Sequence, residues 1–217
     1  MEGSRPRGSP RGALIVLEGI DGSGTSTHSE LLARWLAGKG YRVLVTSEPS
    51  RGPVGRLIRR LLRVDLHPLI DAALFAADRL WHVLKVVRPA LREGMVVICD
   101  RYYESSYAYQ GAQGLPRWVI GLLNAFAPRP DLVVVLDLDP GEAVRRLRRK
   151  GKGREKFERR EFLERVRRHY LARAREMGYP VIWTGGSIGE VQERLRDRVR
   201  RLLEGGLGPN EAVTGPV

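Results

Sequence analysis

Five short, almost uninterrupted apolar runs, each followed by a stretch of helical periodicity, constrain this chain more than any other feature. The runs are "ALIVLEG" (13–19), "YRVLVTSEP" (41–49), "MVVICD" (95–100), "DLVVVLDLDP" (131–140) and "YPVIWTGG" (179–186). Each has the length and the β-branched content of a strand. A strand that is apolar on both faces needs cover on both, which is the pattern of a parallel sheet between two helical layers. Between the runs, "SELLARWLAGKG" carries Leu31, Leu32, Trp35 and Leu36 at helical spacing and stops at a glycine. "VGRLIRRLLR" is amphipathic, and "DAALFAADRLWHVLKVVRPALREG" (71–94) is a longer helical region that Pro89 is expected to kink or split. "ESSYAYQG", "PRWVIGLLNAFAP", a basic stretch and "IGEVQERLRDRVRRLLE" supply the remaining helices. The expectation is a three-layer α/β domain with no internal repeat and no interdomain linker.

A length of 217 residues suits one such domain, with 42% hydrophobic and 29% charged residues. Apolar runs such as "LVVVL" fall far short of the roughly 20 residues that span a bilayer, so no membrane partner is expected. Residues 1–12 carry basic side chains with no apolar core behind them, so they do not read as a secretory signal. They read as a disordered leader and residues 205–217 as a disordered tail, leaving 13–204 as a single folded domain. Cys99 is the one cysteine, which rules out an internal disulfide and fits a cytoplasmic location. His28, His67, His82 and His169 lack metal-ligand spacing. The net charge is +13, and residues 141–180 hold fifteen Arg and Lys against six Glu. That local excess would attract nucleic acid or nucleotide phosphates, and composition does not choose between them.

The segment "LEGIDGSGTSTHSE" (17–30) bears on that choice. Gly19-Ile20-Asp21-Gly22-Ser23-Gly24-Thr25-Ser26 follows the pattern G-x-x-x-x-G-K-[ST], except that Thr25 stands where lysine is usual. Glycines let backbone N–H groups turn inward around phosphate oxygens, and the following helix adds its positive N-terminal end. Ser26 is placed to ligate magnesium held on a nucleotide. A glycine-rich turn without a ligand is the competing reading of this loop taken alone. Further along, "CDRYYESSYAYQG" puts Asp100 and Arg101 at the carboxyl end of the third strand, the edge where open α/β sheets bind ligands.

"LEGIDGSG", "SEP", "LFAADR", "DRYYESSYAYQG", "PDLVVVLDLDP" and "KFERREFLERVRRHY" occur in the order and approximate spacing of the thymidylate kinases, which the chain resembles over about residues 13–203. The "DRY…SSxAYQG" segment is the most specific part of the likeness. The resemblance implies a P-loop NTPase-like domain with a five-stranded parallel sheet, a homodimer, and transfer of the γ-phosphoryl of ATP to dTMP with magnesium. It implies that Gly19, Ile20, Asp21, Gly22, Ser23, Gly24, Thr25, Ser26 and Thr27 bind ATP, with Ser26 and Asp100 on the magnesium side. Arg101 would bind the acceptor phosphate. Phe75 would stack on thymine, and Arg79, four residues on and so on the same helix face, would hydrogen-bond its carbonyl. Ser105 and Ser106 would lie near the other edge of the base, Tyr109 would crowd the 2′ position, and Asp21 would accept from the 3′-hydroxyl. Glu48 and Arg51 complete the acceptor set.

The basic run "RRLRRKGKGREK" (145–156) falls where the family has a mobile lid over ATP. With Gly22 in the loop, the chain resembles members that supply catalytic arginines from the lid, here Arg148, Arg149 and Arg154, with Lys150 and Lys152 beside them. Gly151 and Gly153 would let such a lid open. A solvated charged helix accounts for most of Arg159–Arg175. The rival readings are a nucleotide kinase of other acceptor specificity and a non-catalytic nucleotide or nucleic-acid binder with a degenerate loop. Low aromatic content, 7%, with no stacking pattern in the basic run, argues against nucleic acid as a partner.

Overall fold

The computed structural model describes residues 12–149, 151 and 159–204. The five apolar runs form β1 (Ala13–Gly19), β2 (Val43–Ser47), β3 (Val96–Asp100), β4 (Leu132–Asp137) and β5 (Val181–Trp183). They pair in parallel in the order β2-β3-β1-β4-β5. The helices are α1 (Thr25–Ala37), α2 (Pro53–Leu61), α3 (Pro68–His82), α4 (Arg88–Arg92), α5 (Tyr103–Ala112), α6 (Arg117–Asn124), α7 (Pro140–Arg149), α8 (Arg160–Met177) and α9 (Ile188–Glu204).

Successive strand residues face opposite sides, so the sheet divides the core in two. Leu14, Val16, Val97, Cys99, Val133 and Val135 pack beneath residues of α5, α7 and α8. Ile15, Leu17, Val96, Ile98, Leu132 and Val134 pack against Leu32 and Leu36 of α1 and Val191, Leu195 and Val199 of α9. The chain leaves β1 toward one edge of the sheet and leaves β4 toward the other. The strand order therefore reverses beside β1, and the crevice outside its carboxyl end is where sheets of this kind bind ligands.

Two local outcomes differ from simple pattern reading. The helical region around Pro89 is not broken by a loop: a π-helical turn at Val83–Val87 joins α3 to α4. Arg88 N–H bonds to the Val83 carbonyl, five residues back, so the wider turn makes room for a ring that would otherwise crowd the carbonyl four residues before it. The basic helix α8 is also less solvated than expected. Arg159, Arg160, Arg165, Arg168 and Arg175 are exposed, but Arg173 clasps buried Glu104 at 2.7 and 2.8 Å and Arg167 clasps Asp137 at 2.6 and 2.8 Å. These bidentate pairs fix α8 to α5 and to the end of β4. Residues 145–149 of the expected lid form the second half of α7, whereas Lys150, Lys152, Gly153 and Arg154 lie outside the described residues, as do 1–11 and 205–217. Among the described residues, no helix is long and apolar enough to cross a membrane.

Candidate active site

The loop after β1 is shorter than the sequence pattern suggests, because α1 begins at Thr25 and takes Thr25, Ser26 and Thr27 into its first turn. Gly24, just before it, has φ 98°, a left-handed conformation that glycine adopts without strain. Gly22, at φ 87°, is also a close-approach point: a Cβ there would come within 2.8 Å of the Ala143 carbonyl oxygen. Helix α7 is thus pressed directly onto the loop. The first-turn N–H groups of α1 have no partners within the helix and form an anion-binding end. Thr25 is 6% exposed and brings no charge to it.

Ser26 and Asp100 meet across this end of the sheet. Ser26 Oγ donates to Asp100 Oδ2, and Asp100 Oδ1 is buried without a hydrogen-bond partner. A hydroxyl oxygen beside a carboxylate with an unused oxygen fits a hard divalent cation, and magnesium commonly takes one or two protein groups and completes its shell with phosphates and water. Among the described residues, no group of three or more His, Cys, Asp or Glu is placed to hold a metal unaided.

Arg101 follows at once and has φ 70°, the one positive value outside glycine among the described residues. The bend is held by its N–H, which donates to the Leu17 carbonyl at 2.9 Å. Its guanidinium donates to the Gly19 carbonyl at 2.6 Å and to Asp21 Oδ1 at 2.8 Å, and it lies over the Tyr109 ring at 5.2 Å. Burial works against its charge, but Tyr109 and Asp21 hold the guanidinium firmly protonated. Tyr109 OH donates to Asp21 Oδ2 at 3.0 Å, so both oxygens of Asp21 are engaged. Backbone strain of this kind, on the order of 1–3 kcal/mol, persists where surrounding contacts impose it, and it clusters at functional sites.

From Arg101 a cleft runs toward α3, lined by Asp21, Glu48, Phe75, Arg79, Arg101, Ser105, Ser106 and Tyr109 among others. Eight of the nine residues assigned to the acceptor are therefore brought together. The ninth, Arg51, is exposed and is not part of the lining. Arg148 and Arg149 are likewise exposed, at the end of α7.

Arg79 is more committed than the sequence implies. It is 1% exposed, and it contacts Glu48 Oε2 at 2.7 Å, Ser106 Oγ at 3.3 Å, Asn124 Oδ1 and the Tyr102 carbonyl at 3.2 Å. These contacts occupy a guanidinium with five N–H groups, and the bond to Ser106 is the longest of them. Glu48 is held from the other side by His82 Nδ1 at 3.0 Å, whose Nε2 meets Thr46 Oγ1 at 2.6 Å.

Sequence reasoning passed over Glu18, which is 0% exposed and accepts from the N–H groups of Tyr102 and Ser105 and from the hydroxyls of Ser105 and Tyr170. Burial pushes its carboxyl up to about 7, against the opposing pull of those hydrogen bonds and of Arg101. The signal was present: a lone acid inside an apolar strand has to be satisfied by something.

The arrangement puts a glycine-rich loop fit for an anion, a Ser26–Asp100 pair that fits a divalent cation and a charged arginine at the mouth of a cleft with an aromatic wall, a set of parts suited to phosphoryl transfer. Comparison with known proteins agrees. Residues 17–195 match the family model described as thymidylate kinase. A probable thymidylate kinase of Pyrobaculum calidifontis is 50% identical over 192 residues, covering 88% of this chain and 97% of that protein. One from Pyrobaculum aerophilum is 46% identical, covering 88% and 98%, and one from Pyrococcus horikoshii is 49% identical, covering 87% and 95%. This chain belongs to the thymidylate kinase family.

Proposed function

We propose that this enzyme phosphorylates dTMP to dTDP with ATP in dTTP biosynthesis, and that the cleft between α3 and α5 takes the dTMP. The observation that carries this reading is the convergence of Asp21, Glu48, Phe75, Arg79, Arg101, Ser105, Ser106 and Tyr109 on one cleft beside the phosphate loop. Phe75 would stack on the base. Arg79 would turn its Nη1 from Ser106 toward a base carbonyl while Glu48 keeps the rest of the guanidinium in place. Tyr109 and Asp21 would face the sugar, and Arg101 would hold the acceptor phosphate in line with the loop.

The loop residues Gly19–Thr27 would carry the ATP phosphates, and Ser26 and Asp100 would hold magnesium, Asp100 through water. Bound there, the ion would neutralise phosphate charge during transfer. Lid arginines would supply the charge that Thr25 does not. A homodimer belongs to the same reading: Leu80 near the end of α3, Leu84 in the π-helical turn that follows, and Trp118 and Leu122 on neighbouring α6 are exposed. The buried free thiol of Cys99 accords with a cytoplasmic location.

A coupled assay of ADP release with ATP, magnesium and a panel of nucleoside monophosphates tests the proposal. dTMP should be the best acceptor and dUMP weaker, with purine nucleotides and ribonucleotides poor. Faster phosphorylation of AMP, GMP or CMP than of dTMP would overturn it.

A further inference from the structure

Glu18 lies at the end of β1 between the phosphate loop, α5 and α8, and the oxygens gathered there make one more mutual contact than their protons can fill when its carboxylate is ionised. Oε1 takes the N–H groups of Tyr102 at 2.7 Å and Ser105 at 3.2 Å. Oε2 is 2.7 Å from Ser105 Oγ and 2.9 Å from Tyr170 OH, and those two hydroxyls are 2.8 Å apart. Three oxygens thus make three mutual contacts of hydrogen-bond length. Each hydroxyl carries a single proton, so an ionised Glu18 leaves one contact without a proton. A neutral carboxyl supplies the third proton and closes the ring. Arg101 Nη1 sits 3.3 Å from Ser105 Oγ and 3.2 Å from Tyr170 OH, but one of its two protons is already on the Gly19 carbonyl at 2.6 Å, so it has one left for the pair of hydroxyls and cannot replace the proton missing between them.

We propose that Glu18 is a positioning residue that, with Ser105 and Tyr170, holds a proton beneath Arg101 and links acceptor-phosphate binding to proton uptake. The inference rests on the reading of Arg101 as the acceptor-phosphate residue. The burial that pushes the Glu18 carboxyl up to about 7 supports it. The charged and titratable groups facing Glu18 are Cys99 in β3, Arg101 and Tyr102 just after it, and Tyr170 from α8, while Tyr109, Asp21 and Asp100 surround Arg101. When Glu18 is ionised it competes with an incoming phosphate for Arg101. When it is neutral, Arg101 has Asp21 as its paired carboxylate and more of its charge is open to the phosphate. Binding of the anion makes ionisation of Glu18 costlier, so a proton passes from solvent to Oε2 and no other bond changes. By linkage, acceptor affinity must then fall as pH rises through the Glu18 range.

Glu18→Gln tests this, because its carbonyl oxygen can accept from both backbone N–H groups and its amide can donate into the ring at any pH. With a free-enzyme value of about 7 and a shift of about one unit on binding, the Kd for dTMP should rise about fivefold more between pH 6 and 8 in wild type than in Glu18→Gln. Titration of the dTMP phosphate affects both proteins equally and cancels. Calorimetry in buffers of different ionisation enthalpy should show proton uptake on dTMP binding near pH 7.5 in wild type, reduced in the variant. Infrared titration of the ligand-free wild type should show a carboxyl band that disappears near pH 7 and is missing from Glu18→Gln. Equal pH slopes and equal proton uptake in the two proteins would overturn the link, and absence of the band at pH 5–6 would overturn the ring. If dTMP does not bind at all, the reading of the cleft fails and takes the link with it, while the infrared titration still decides the ring.

Discussion

Replacing Arg101 by alanine and, separately, by glycine separates two things this residue does. Both substitutions remove the guanidinium, with its contacts to Gly19 and Asp21 and its place over Tyr109. They differ in the backbone, which sits at φ 70°. Alanine must still hold a left-handed conformation, whereas glycine adopts it freely, so glycine should be the more stable by about 1 kcal/mol. For a domain of this size that is about 2–4 °C in Tm. Turnover should not follow stability: both variants should lose at least ~10²-fold, the scale of removing one preorganised charge-stabilising group. Thermal denaturation and the coupled kinase assay measure the two effects on the same preparations. A glycine variant no more stable than the alanine variant would show that the bend is unstrained. An alanine variant with near-normal turnover would remove Arg101 from the reacting phosphoryl group.

Two further predictions test the charge arrangement. Thr25→Lys should partly restore turnover lost when Arg148, Arg149 or Arg154 is changed to alanine, a coupling that a double-mutant cycle detects; purely additive effects would refute compensation by the lid. Arg79→Leu should cost about 3–5 kcal/mol, on the order of 10 °C in Tm, because it strands the Glu48 carboxylate at 3% exposure. Thermal denaturation checks this, and a loss below about 1 kcal/mol would mean that water reaches the pair.

What was legible in the sequence was what depends on local periodicity. Uniformly apolar runs gave all five strands, and their alternation with helices gave the parallel three-layer sheet, since each signal lies within a few residues. The loop glycines and the four-residue spacing of Phe75 and Arg79 were equally readable. What remained hidden depends on which polar groups meet across the fold. Tyr170 reaches Glu18 from 152 positions away, and Arg79 finds Asn124 45 positions on, partners that no periodic pattern encodes. The form of the interruption near Pro89 was hidden for a related reason: proline opposes a regular α-helix, and one π-helical turn accommodates it without a loop. Arg167 and Arg173 looked like members of a solvated run because charge alone does not reveal which face of α8 meets a buried acid.

Phosphorus NMR of a single reaction containing the protein, ATP, magnesium and dTMP tests the central claim most directly, because it follows where the γ-phosphoryl group goes. Resonances of dTDP and ADP should grow together in equal amounts while ATP and dTMP decline. Growth of ADP with inorganic phosphate and no dTDP would mean that the loop hydrolyses ATP without serving the cleft, and an unchanged spectrum would mean that Thr25 marks a loop that binds without transfer.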